Sequence, residues 1–469
     1  MKKCCFAALL VLAVLCPAVP GEAAVRYVTQ SGAGSMDGSS WATASSDLKG
    51  VMEAAQSGDE IWVAAGTYSP GTSDPKNTFL LKRGVKVYGG FAGTETDLGQ
   101  RDLSNVNNKT ILSGDNKVYH VVTGQSAAAF QSARLDGFTV TGGNANGGSD
   151  YAFGGGMYNY RSSPTVENCT FSGNTAEKGG GMYNYRSSPT VANCTFSGNT
   201  AKFLGGGMCN EDNSSPTVEN CTFSGNTATS GGGMCNENNS SPTVENCTFS
   251  GNKSENGGGG MLNFNSSPTV ANCTFSGNVA EVTSGGGMYN SSSSPTVANC
   301  TFSGNTATSY GGGMYNSYSG PTVANCTFSG NTAKFLGGGM YNLDNSSPTV
   351  ANCTFSGNVA KQGGGMYNEN KSSPTVANCT FSGNTAKFLG GGMFNISNSS
   401  PTVANCTFSG NVAEVASGGG MYNKDSSPTV ANTILWGNTA PVDQGPDIYQ
   451  DAGTLTLNHC VVRKYDTAN

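Results

Sequence analysis

Gly154-Gly-Gly-Met-Tyr-Asn159, then Pro164-Thr-Val-Glu-Asn-Cys-Thr-Phe-Ser-Gly-Asn174, is the passage whose reading decides the fold, because the chain writes it eleven times with small changes. The methionines keep the beat: Met157, Met182, Met208, Met234, Met261, Met288, Met314, Met340, Met366, Met393 and Met421 lie 25 to 28 residues apart. A period of that length marks a solenoid, in which one repeat cannot bury its own apolar face and must stack on its neighbours.

Within the unit, Val166, Cys169 and Phe171 are apolar, and Thr165, Glu167, Thr170 and Ser172 between them are small or polar. Alternation with period two reads as two short strands, each with one buried face. Asn168 interrupts the alternation and reads as a bend, since asparagine tolerates the left-handed conformation. Gly173-Asn174 reads as a turn of the same kind, and Met157-Tyr158-Asn159 as a third strand entered through three glycines. No stretch of the unit has helical spacing. The expectation is an all-β, right-handed parallel β-helix with three-strand coils of about 26 residues, the hand following the usual chirality of parallel crossovers.

Coils stacked at about 4.8 Å put like on like. Ten cysteines from Cys169 to Cys406 are expected as one buried inward column, Phe171 to Phe408 as another, with the valines and methionines as two more. Asn168 and its equivalents are expected to stack as an amide ladder. Leucine-rich repeats need leucines that are missing, and no aspartate follows the glycine runs as in the calcium-binding nonapeptide roll.

Five regions follow. Residues 1–23 read as a secretory signal, with Lys2 and Lys3 ahead of an apolar run from Phe6 to Val14 and a small-x-small site at Gly21-Glu22-Ala23. That run is too short to span a membrane. Residues 24–109 read as an N-terminal cap and first strands, with a helix from about Asp47 to Gln56 capped by Ser46. Residues 110–153 read as degenerate early coils, 154–438 as the eleven-repeat β-helix, and 439–469 as a last coil and end cap.

Beyond the signal the chain carries 22 Lys+Arg and 29 Asp+Glu, dispersed, with no basic stripe for nucleic acid. Thirteen cysteines remain there. Those of the inward column read mostly as unpaired buried thiols, with the coil spacing of about 4.8 Å also within the range of rung-to-rung disulfides. Cys209 and Cys235 differ: they replace the tyrosine after Met on consecutive repeats, are expected to point outward side by side, and form the candidate disulfide.

No catalytic residue, metal ligand or cofactor is assigned. Two histidines, His120 and His459, stand near opposite ends of the repeats, and the carboxylates are scattered. Glu211 and Asp212 near Glu237 read as a solvated acidic patch, the Asn-Cys-Thr sequons as bends, and the outward threonine columns as strand-face residues. The candidate ligand-contact face is the tyrosine column Tyr158, Tyr183, Tyr289, Tyr315, Tyr341, Tyr367 and Tyr422, expected along one outer side, since tyrosine-rich surfaces suit protein or sugar contacts.

Phe171-Ser-Gly-Asn174 fits the Phe-x-x-Asn motif of the chlamydial polymorphic outer membrane protein repeats, and Gly-Gly-Gly-Met resembles their Gly-Gly-Ala-Ile. The resemblance covers Gly154 to Asn438. The stretches Trp41-Ala42, Gly58 to Ala64 and Tyr88 to Phe91 look like the start of bacterial right-handed β-helix surface proteins. This implies an exported adhesin or antigenic passenger at the cell surface or outer membrane, with an unknown protein or glycan partner. Unlike that family, the sequence carries no C-terminal barrel pattern and no other integral membrane span. The alternative is a polysaccharide lyase or hydrolase on the same fold.

Overall fold

Three parallel sheets run along the chain, and the repeat fixes which residues each one carries. The computed structural model describes residues 23–124, 133–441, 444–463 and 465–467. The proposed signal lies outside these but for Ala23. The Thr-Val-Ala strands form a 16-stranded sheet from Val25–Val28 to Thr456–Asn458, and the Met-Tyr-Asn strands a 15-stranded sheet from Phe79–Leu81 to Tyr465–Thr467. The Thr-Phe-Ser strands form the third face, with a short Thr-Ala strand after each Gly-Asn turn pairing into a narrow fourth strip. The long strand Phe138–Ala145 belongs to both and joins them.

Register is identity on identity. Val166 pairs with Val191, Phe171 with Phe196 and Met157 with Met182, and so on up the rod. The phenylalanines stack with ring centroids 4.5 to 4.9 Å apart and planes within 5°. The ten column cysteines are buried in the same core, as the alternation predicts. Each thiol is held by backbone: the N–H of Cys273 donates to Sγ of Cys300 at 3.4 Å, and that thiol donates to the carbonyls of Ala298 and Val270. Thr433 continues the column, accepting from the N–H of Cys406 at 3.2 Å.

The expected amide ladder at Asn168 and its equivalents is the lesser of three. These residues do take the left-handed bend, with φ 54° at Asn299, but their amides lie near the surface and touch singly, as Asn325 on Asn299 at 3.1 Å. The strong ladders are Asn159 to Asn423 and Asn174 to Asn438, wholly buried. Gly173 takes the left-handed turn, with φ 62°, and leaves Asn174 free to point inward. Asn305 is typical: its Nδ2 donates to Phe275 O and Asn331 Oδ1, and its Oδ1 accepts from the backbone N–H of Asn278 at 3.0 Å.

The glycine run has a packing reason. A Cβ on Gly287 would sit 2.5 Å from the carbonyl of Gly313 on the next coil and 2.9 Å from the ring of Phe302. In the N-terminal segment the helix is shorter than expected, Leu48–Ala54, and its cap is Asp47, whose carboxylate accepts from the N–H of Gly50, not Ser46.

Candidate functional site

Outward side chains of the Met-Tyr-Asn sheet hold most of the chemistry that the repeat does not spend on its core. Tyr158 and Tyr160 leave the strand on the same side, because Met157 and Asn159 between them point inward. The expected exposed tyrosine face is corrected here. Tyr183, Tyr315, Tyr341, Tyr367 and Tyr422 are buried, at 2 to 7 % exposure, while Tyr158 and Tyr289 are half-buried. The column does stand on the outer side of the sheet, yet the variable links fold back over it. Tyr310, Leu336 and Leu389 pack on the C-terminal run of tyrosines, and Leu204 and Phe153 on the N-terminal run. The links even pair with each other, Leu204 with Ser230 and Tyr310 with Leu336. The buried hydroxyls find carboxylates beyond: Tyr341 donates to Glu369 at 2.6 Å and Tyr422 to Asp451 at 3.1 Å.

Cys209 and Cys235 share this fate. They are in register on adjacent strands, as the repeat count requires, but both are wholly buried and both are free thiols. They form one small outer core with Tyr183 and Leu262.

A ledge stays open at the first two regular coils, where Met-Tyr-Asn-Tyr-Arg is written twice, at 157–161 and 182–186. Tyr160 stacks on Tyr185 at 5.5 Å, planes 2° apart, and Tyr160 keeps 36 % exposure. Arg161 lies over the Tyr160 ring at 5.4 Å and Arg186 over Tyr185 at 5.2 Å. Arg186 pairs with Asp212 at 3.1 Å. Behind the ledge, the buried His120 stacks on Tyr158 at 4.9 Å with Nδ1 3.1 Å from the Gly154 carbonyl. Burial pushes its pKa down to about 4. The repetition of the pentapeptide is the sequence signal for this ledge.

One coil on lies a polar knot. Lys178 pairs with Glu211 at 2.9 Å, and Tyr183 donates to the same carboxylate at 2.8 Å. Burial works to lower the Lys178 pKa, but the bond to Glu211 more than offsets it and the net shift is upward. Glu237 is pushed up by its own burial. So Glu211 and Glu237 do adjoin, as the sequence suggested, but as a half-buried group rather than a solvated patch. Among the described residues, no group of three or more His, Cys, Asp or Glu side chains is arranged to hold a metal ion. No helix among them is long and apolar enough to cross a membrane.

Fold and surface together define a stacked-coil solenoid with a decorated outer face. The chain belongs to the right-handed β-helix family: the family described as "Right handed beta helix region" matches residues 103–257, 226–355 and 300–440. The match is to the β-helix as a whole; the chlamydial repeat is carried by its two motifs alone. Among curated proteins no sequence matches. Among solved structures the chain is similar to the pectate lyase Pel9A, at 14 % identity over 88 % of this chain and 79 % of that one, with a TM-score of 0.26. It is also similar to tailspike protein 3 of bacteriophage CBA120, at 11 % identity over 92 % and 61 %, TM-score 0.33. PfbA, a surface adhesin of Streptococcus pneumoniae, is 9 % identical over 90 % and 86 %, TM-score 0.28. Likenesses this loose carry no argument about activity.

Proposed function

We propose that the chain is an exported, non-catalytic β-helix that binds a protein or glycan outside the cell, adhesin-like or as an antigenic passenger. The observation that supports binding is the doubled ledge of Tyr160 and Tyr185 with Arg161 and Arg186 over their rings. Rigid aromatics combined with arginine are the side chains that contribute most at recognition surfaces. The contact face thus moves from the tyrosine column to Tyr160 and Tyr185, which stand beside its first two members, Tyr158 and Tyr183. Binding of the purified chain to arrays of glycans and of host-surface and envelope proteins tests this. The double variant Tyr160→Ala/Tyr185→Ala is expected to lose at least tenfold in affinity, about 1.4 kcal/mol. Unchanged binding by the variant rejects the ledge. Export is tested separately, by fractionation and by N-terminal sequencing of the mature protein.

One observation favours a second reading, a polysaccharide lyase or hydrolase. Lys178, Tyr183, Glu211 and Glu237 converge on neighbouring coils, and neighbouring carboxylates in unlike environments are the material of acid–base catalysis. Turnover of pectin, alginate or another polyuronate that disappears in Glu237→Gln replaces the binding reading with this one.

A further inference from the structure

Two sulfurs stand where the repeat otherwise keeps a large side chain. In the outer column Tyr183 is followed by Cys209, Cys235 and Leu262, each in register with the next. We infer that Cys209 and Cys235 form a two-coordinate site for a soft monovalent cation of the Cu(I) or Ag(I) kind, one thiolate on each side of the ion.

The strand geometry carries this. Side chains in register on neighbouring parallel strands stand parallel, about 4.8 Å apart. Two thiolate–metal bonds of the length zinc makes, about 2.3 Å, laid end to end span about 4.6 Å, close to that gap. A disulfide has to draw its Cβ atoms to about 3.5–4.5 Å and its sulfurs to about 2 Å, so both side chains must turn toward each other. Thiolates select soft ions such as Cu(I) over hard ones.

The same spacing recurs in the ten-cysteine inner column, yet the two sets differ chemically. Each inner thiol is committed: Cys300 accepts a backbone N–H and donates to two carbonyls. Among the described residues Cys209 and Cys235 make no such bonds to backbone, and each thiol's partner is the other; burial pushes the Cys235 thiol up as well, with Glu237 adding to this and Lys178 working against it. They also lie on the outer side of the sheet, in the small cluster on which Leu204 and Tyr185 pack, rather than in the central core. Lys178 stands in electrostatic contact with Cys209. Binding releases two protons without redox change, 2 RSH + M⁺ → [RS–M–SR]⁻ + 2 H⁺, and Lys178, shared with Glu211, is the cation that faces the resulting charge.

The test is titration of the reduced full chain with Cu(I) against a competing chelator, read by metal content and by X-ray absorption. The wild-type chain is expected to hold one Cu(I) with a first shell of two sulfurs. Cys209→Ser/Cys235→Ser loses that equivalent, and Cys273→Ser in the inner column keeps it. Cys235→Tyr, which restores the residue of the other repeats, guards against a misfolded serine variant and loses it too. Equal uptake by the outer-pair variants, loss in Cys273→Ser, or a shell of three or more sulfurs overturns the site. So does recovery of a Cys209–Cys235 disulfide from a chain that takes up no Cu(I) once reduced.

Discussion

Asn305 and Asn299 belong to one repeat and are the same residue type six positions apart, yet the fold uses them oppositely. The first is wholly buried in a ladder and satisfies groups on both neighbouring coils; the second supplies a left-handed bend at the surface. Asn305→Ala leaves a buried backbone N–H on Asn278 without its acceptor, and should cost about 3 kcal/mol. Asn299→Ala loses one exposed amide contact and places Ala in a left-handed conformation, for about 1 kcal/mol. Urea denaturation of both variants checks the ratio, and equal losses reject the assignment of the ladders. His120 gives a pH effect at the same scale. Its folded pKa, about 4, lies below the ordinary 6.5 because burial disfavours the charged form, despite Asp150 nearby. The unfolded chain therefore binds the proton first as pH falls. Full stability holds above about pH 6.5 and declines as pH falls toward 4, by roughly 3 kcal/mol in all. Replacing it by phenylalanine (His120→Phe) keeps a ring against Tyr158 and Tyr151 and should flatten the stability profile across that window. A variant profile parallel to wild type rejects the assignment.

At the scale of elements, the strands were legible and the links were not. Alternation in Thr165 to Ser172 placed valine, cysteine and phenylalanine inside without help from the structure, because period two is a property of the strand itself. The burial of Tyr341 depends instead on Leu336, in a link of variable length whose path no periodicity encodes. For the same reason Cys209 and Cys235 were rightly read as neighbours and wrongly as exposed. The ladder that begins at Asn174 escaped because Gly173-Asn174 had been read together as the turn, whereas the glycine alone takes the left-handed conformation and the asparagine points inward. The glycines divide in a testable way. Gly287 faces a carbonyl of the next coil, so Gly287→Ala forces two coils apart and should cost about 3 kcal/mol. Gly304 has φ 61° but open space around a Cβ, so Gly304→Ala meets only the left-handed penalty, about 1 kcal/mol. Thermal unfolding of the pair separates crowding from backbone strain, and the reverse order of stabilities contradicts the stacking geometry.

For the whole molecule, contacts run between a coil and its neighbours, so stability is close to a sum of coils and interfaces. Excising residues 288–313 removes one turn and joins Gly287 to Met314, which restores the repeat's own sequence at the junction. Valine, phenylalanine and methionine columns close up, and both buried asparagine ladders lose one rung without breaking. The shortened chain should fold with the same β spectrum and unfold at slightly lower denaturant. This deletion also locates function along the rod. The ledge at Tyr160 and Tyr185 lies well toward the N-terminal end of the repeats, before the excised coil, and its geometry depends on the coils of Met157, Met182 and Met208. If ligand is held there, affinity is unchanged by the deletion. If the repeated threonine and serine columns bind instead, each coil contributes alike and affinity falls with every coil removed. A series lacking one, two and three coils between Met288 and Met366 distinguishes these: a flat affinity with a falling denaturation midpoint supports the ledge, and a graded affinity rejects it in favour of contact along the length of the rod.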